Sequence, residues 1–188
     1  MSFLKQVVDT YGAQYPWAIF LALVLLPGFA FPASALLLLA GAVWGSTASS
    51  CGIALGAILL NVTWTHLLAA GPCKTLVTRI LGKHGERLFA MPQADLMKLA
   101  WILRVTPAVP LFVQNYGLGV LGVPLRHSLL TAIPVTGLYI CGFVLTGGAI
   151  FNGRFGLVVT GAGLLIAATV ATRLLRKRYA EGKANGGS

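Results

Sequence analysis

Leu103-Arg104-Val105-Thr106-Pro107-Ala108-Val109-Pro110, followed by Gln114-Asn115-Tyr116-Gly117-Leu118-Gly119, is the stretch whose reading decides the fold. It sets an arginine, two prolines and three polar side chains in a chain whose hydropathy predicts hydrocarbon surroundings. A charge at the bilayer centre costs roughly 2.5–3.5 kcal/mol on insertion scales. Proline breaks the helix that would keep backbone groups satisfied in lipid. Such a segment survives only where it packs in protein or lines a cavity. A broken helical hairpin is therefore expected here, and function is sought here first.

The rest of the chain supports that setting. Of 188 residues, 57% are hydrophobic and 10% charged, and the mean hydropathy is +0.84. A soluble domain carries about 25% charged residues. Fourteen basic and four acidic side chains are too few to cover a water-facing surface. The expectation is an all-α integral membrane protein. Its net charge of +10 could suggest nucleic acid, but many of the basic residues cluster beside apolar runs, at Lys74–Lys98 and Arg173–Lys183. That juxtamembrane pattern contacts anionic lipid headgroups, so no nucleic-acid partner is expected. Cys51, Cys73 and Cys141 form no CxxC or Cys/His spacing and read as free packing cysteines.

Working outward gives a single membrane domain over 16–176. An amphipathic lead-in (1–15) precedes it, and a basic tail without predicted structure (177–188) follows. Apolar helix at 16–28 is interrupted by Pro27-Gly28 and Pro32, and a second apolar piece, Ala33 to Trp44, follows. Twelve residues make about 18 Å of helix, too short for about 30 Å of hydrocarbon. A first re-entrant hairpin is placed at about 27–48 and a second at about 95–123. Full spans are expected at 50–71, 125–150 and 155–176, giving about four with 16–28. Pro134 predicts a kink. Residues 73–90 read as an interfacial basic helix, with Leu76, Val77, Ile80, Leu81 and Leu88 on one stripe. Arg126, His127 and Arg154 fall at span ends as interface anchors.

Charge bias puts the 73–98 stretch, both termini and the open end of the second hairpin in the cytoplasm. Pro32 is followed nine residues later by Gly41, and Pro110 nine later by Gly119. Two broken hairpins entering from opposite faces make an inverted repeat, an architecture that places a site near the membrane midplane. The spacing Gly52-x-x-x-Gly56 serves packing within one chain or association into a homo-oligomer.

Several residues are candidates for binding a substrate. Arg104 offers five donors and a permanent charge, suited to a phosphodiester; snorkelling to the interface is its structural alternative. Pro107, Pro110 and Pro32 break helices and leave their ends facing a cavity. Gln114, Asn115 and Tyr116 line a groove or tie one hairpin to the other. Ser34 lies in the first hairpin. Asn61 and His66, with Thr63 and Thr65, sit on one span as interhelical partners or groove wall. Asp9, Glu86, Asp95 and Glu181 all lie outside the expected spans, so no carboxylate pair for acid/base chemistry, no metal site and no cofactor motif is expected.

Arg104-x-x-Pro107-x-x-Pro110-x4-Asn115-Tyr116-x-x-Gly119 resembles the signature of the DedA/VTT superfamily, also called SNARE-associated Golgi proteins. Pro32-x8-Gly41-x3-Gly45 resembles the first block of the same group. The resemblance covers about residues 15–175. The run Pro32-Ala33-Ser34 lacks the glutamate usual in the bacterial DedA branch, and Pro110 stands where that branch tends to have a second arginine. The chain is therefore most similar to the VTT-like branch. The resemblance implies two facing re-entrant hairpins and a non-enzymatic role: moving phospholipids, or carriers such as undecaprenyl phosphate, between leaflets. A bacterial inner membrane is the expected location. A proton- or ion-coupled transporter of a small anion, or a non-transporting membrane scaffold, are the alternatives.

Overall fold

The computed structural model describes residues 14–72, 74–75, 79, 92–106, 109–151, 163, 166 and 169–170. The expected lead-in (all but its last two residues), most of the basic helix at 73–90, Pro107, Arg154, most of the span at 155–176 and the tail lie outside the described residues. Among the described residues every element is helical: α1 (Pro16–Leu25), a 3-10 turn (Leu26–Phe29), α2 (Ala33–Trp44), α3 (Ala48–Ala70), α4 (Gln93–Val105), α5 (Leu111–Val120) and α6 (Leu125–Phe151).

Two of these helices, α3 and α6, are long and apolar enough to cross a membrane. At 1.5 Å per residue they measure about 35 and 40 Å. They match the spans expected at 50–71 and 125–150, and α6 continues through Pro134. The expected helix at 16–28 differs. Pro27 cannot donate the backbone bond that would continue α1, and the chain tightens into the 3-10 turn. Ala30 ends that turn at φ 64°, a left-handed conformation unusual for a residue with a Cβ. The ten described α-helical residues of α1 reach about 15 Å, and they form the first arm of a broken pair.

That changes the boundaries of the first hairpin. The Trp44 indole Nε1–H donates to the carbonyl of Pro16 at 3.2 Å, so the start of α1 and the end of α2 lie side by side. The tip is at Leu26–Pro32, and the pair covers Pro16–Trp44 rather than 27–48. The second pair is α4 and α5, with its tip around 106–110. Leu96 and Ala100 of α4 pack with Leu118 of α5 and Val123, which closes its open end.

The long helices fix how the pairs face each other. The open end of the first pair lies at the start of α3, where the Ser50 hydroxyl donates to the Trp44 carbonyl at 3.0 Å. The open end of the second lies at the other end of α3, where Gly119 packs on the backbone of His66 and on Ala69. The two tips therefore point toward each other. Pro32 and Pro110 occupy equivalent places, each immediately before the second arm of its pair. Nine residues on, Gly41 meets the backbone of Val144 and Gly148 on α6, as Gly119 meets α3. A Cβ at either glycine would collide with the crossing helix. Each pair's second arm thus packs on the long helix that follows the other pair. The core between them is made by Leu23, Leu36, Leu37, Ala40, Ala54, Ile58, Val62, Ile140 and Val144.

Candidate functional site

The end of α4 carries Arg104 into the interior, where it is only 2% exposed. The one carboxylate among the described residues, Asp95, pairs instead with Lys98 at 3.0 Å near the start of α4. Neutral oxygens hold the guanidinium. Nη1 donates to Oδ1 of Asn115 at 2.8 Å and to Oε1 of Gln114 at 3.3 Å, and Nη2 donates to Oγ of Ser128 at 3.1 Å. Nε, also buried, has no partner. A buried cation normally sits opposite a buried anion, because removing a charge from water costs several kcal/mol. Here dipoles solvate the charge without neutralising it.

These partners belong to a longer chain of hydrogen bonds. Nδ2 of Asn115 reaches Oδ1 of Asn61 on α3 at 3.4 Å. Nδ2 of Asn61 donates to the carbonyl of Val24 at 2.7 Å, and Nε1 of Trp64 donates to the same carbonyl at 2.7 Å. Val24 lies just before the break at Pro27-Gly28, so two side chains of α3 meet the end of α1 at one carbonyl. Arg104 is thus joined through Asn115 and Asn61 to the backbone beside the opposite break. Gln114 also turns back on its own tip, Nε2 donating to the carbonyl of Val109 at 2.8 Å.

Where the two tips and α6 converge, they enclose a cavity of about 590 Å3. The first tip contributes Pro27 and Ala30–Ser34, the second Val109–Phe112 with Gln114, and α6 contributes Thr136, Tyr139, Ile140 and Phe143. Arg104 is the charged residue in the lining, which is otherwise mostly apolar. A guanidinium at the wall of an apolar chamber suits a ligand with an anionic head and a greasy body.

Of the residues proposed from sequence, Arg104, Pro110, Gln114, Pro32 and Ser34 line this cavity. Asn115 and Asn61 are fully buried one layer behind it and act through Arg104 and Val24. His66 lies apart: its Nε2–H donates to the Val123 carbonyl at 2.9 Å, tying α3 to the α5–α6 connection. Tyr116 is half-buried and does not line the cavity. Thr63 and Thr65 bond back to carbonyls of their own helix. The expected end-of-span anchors differ in setting: Arg126 is exposed, and His127 is half-buried. No group of metal-ligating side chains occurs among the described residues.

Sequence reasoning missed Ser128, the third oxygen on Arg104, together with Thr136, Tyr139 and the aromatic lining of Phe31, Phe112 and Phe143. A signal existed for two of these. The offset of 78 residues that relates Pro32 to Pro110 and Gly41 to Gly119 also relates Ser50 to Ser128 and Asn61 to Tyr139.

Comparison with protein-family models, with curated proteins and with solved structures finds no match for this chain.

Proposed function

We propose that this protein moves phosphate-bearing lipids between the leaflets of a membrane, as a scramblase or a lipid-carrier flippase. The observation that carries the reading is Arg104: a buried cation with no counter-carboxylate among the described residues, at the wall of a largely apolar cavity between two helix breaks. A lipid phosphate would supply the missing negative charge, held by charge-assisted hydrogen bonds. The surrounding Phe, Leu and Ile side chains suit acyl or prenyl chains at the same time. Neutral partners keep Arg104 in place while leaving its charge uncompensated, so an anion can bind and still leave.

The architecture supports this reading. Two broken helix pairs with opposed open ends are what an inverted repeat of re-entrant hairpins requires, with α3 and α6 as spans. The first pair's open end would then face the side opposite the second's. The resemblance of the Arg104–Gly119 and Pro32–Gly45 blocks to the VTT-like branch of the DedA/VTT superfamily points the same way. An integral membrane location follows, in a bacterial inner membrane on this reading, with anionic lipid met by the basic stretches at Lys74–Lys98 and Arg173–Lys183.

The test is leaflet exchange of fluorescently labelled phosphatidylglycerol in vesicles, followed by dithionite quenching. Vesicles holding the purified protein are expected to lose about all their fluorescence at a rate that empty vesicles do not approach. Equal rates would sink the reading. An ion-coupled transporter of a small anion would need a carboxylate near the cavity, and none lines it among the described residues. A cavity mostly walled by apolar side chains also suits a small anion poorly. Acceleration by an imposed pH gradient would favour that alternative.

A further inference from the structure

We propose that Tyr139 is a second headgroup-binding residue, donating a hydrogen bond from its phenol to the phosphate-bearing lipid that Arg104 attracts. This rests on the function proposed above and adds a residue on the wall supplied by α6. Three observations carry it. Tyr139 lines the same cavity as Arg104. Its hydroxyl is buried and has no hydrogen-bond partner, as does Nε of Arg104. A buried tyrosine hydroxyl ordinarily finds a partner, and leaving one unmet is costly. Two buried donors without a partner among the described residues thus belong to residues that line one cavity, and a ligand there could offer acceptors to both.

The third observation is the internal symmetry. Under the offset of 78 residues, Tyr139 stands on α6 where Asn61 stands on α3. Asn61 gives its donor to the protein, capping the carbonyl of Val24. Tyr139 keeps its donor unspent on the cavity wall. Where one half of the molecule uses the position to brace a break, the other half holds it for what enters the cavity. Ser128 and Tyr139 are eleven residues, about three turns, apart on one face of α6, with Thr136 between. Ser128 holds Arg104.

The experiment is lipid binding by the purified full chain in detergent, read by native mass spectrometry with dioleoyl phosphatidylglycerol. Tyr139→Phe keeps the ring and its packing and removes only the hydroxyl. Loss of a hydrogen bond to a charged group predicts binding weaker by about tenfold, with an unchanged melting temperature. Equal binding by the variant and the wild type would overturn the assignment, as would a wild type that retains no phospholipid. Displacement of the lipid by inorganic phosphate would overturn the lipid as ligand. Failure of leaflet exchange with binding intact would sink the transport reading alone and leave the Tyr139 assignment standing.

Discussion

The two broken helix pairs solve one problem in different ways. Both interrupt a helix with proline, and both leave backbone carbonyls without their helical donors. In the first pair, residues 16–44 carry no charge, and the carbonyl of Val24 is capped from outside by Asn61 and Trp64 of α3. The second pair braces itself. Gln114 caps Val109, and the Thr106 hydroxyl donates to the Ile102 carbonyl at 2.6 Å. The second pair also carries Arg104, fixed by two side chains of its own and by Ser128. One break is an apolar wedge held by a neighbour; the other is a self-supported seat for a charge. The two halves thus share a backbone plan while the buried charge sits in one.

The largest expected effect comes from disturbing the crossing that holds the pairs together. Gly41→Leu puts a side chain into the backbone of Val144 and Gly148. Overpacking of a tight core costs about 1–3 kcal/mol, and backbone-to-backbone contact has less room to relax. The variant is expected to elute as aggregate in size-exclusion chromatography; a wild-type profile would break the account of how the pairs are clamped.

A smaller effect separates the two bracing modes. Asn61→Ala removes one donor from Val24 and the acceptor for Asn115, for an expected loss of about 1–3 kcal/mol. It should lower the thermal midpoint measured by circular dichroism more than Thr106→Val, whose hydroxyl serves a partly buried tip. The reverse order would remove the distinction drawn between the breaks.

How much of this was legible beforehand depended on local chemistry. The breaks at Pro27–Pro32 and around Pro110 were readable because proline acts on its own backbone. The bounds of α2 followed from Pro32 and Gly45. Arg104 was readable because a charge in an apolar run is an anomaly in one dimension. Which residues would hold it was not. Ser128 lies 24 residues away, and Asn61 reaches the site only by meeting the opposite break across the fold. His66 takes the interhelical alternative of its two readings, its ring bonding the Val123 carbonyl rather than lining the cavity. The apolar helix expected from Pro16 ends at the Pro27-Gly28 interruption, as the proline's local effect predicted.

Two weaker effects sharpen the comparison. Cys51 of α3 and Cys141 of α6 pack in the same core cluster. In a Cys73→Ser background, copper phenanthroline is expected to form an intrachain disulfide between them, seen as loss of both free thiols by mass spectrometry. Persistent thiols would put the α3–α6 register in doubt. The smallest effect is expected from pH. With no carboxylate lining the cavity among the described residues, an imposed pH gradient should leave the leaflet-exchange rate in vesicles unchanged, and a severalfold change would point to a coupled transporter.

The most direct measurement concerns the charge that distinguishes the second break. Arg104→Ala, folded by circular dichroism and reconstituted at equal density, is expected to bring labelled phosphatidylglycerol exchange down to the rate of empty vesicles. Exchange at the wild-type rate would contradict the claim that Arg104 is the seat of a lipid phosphate.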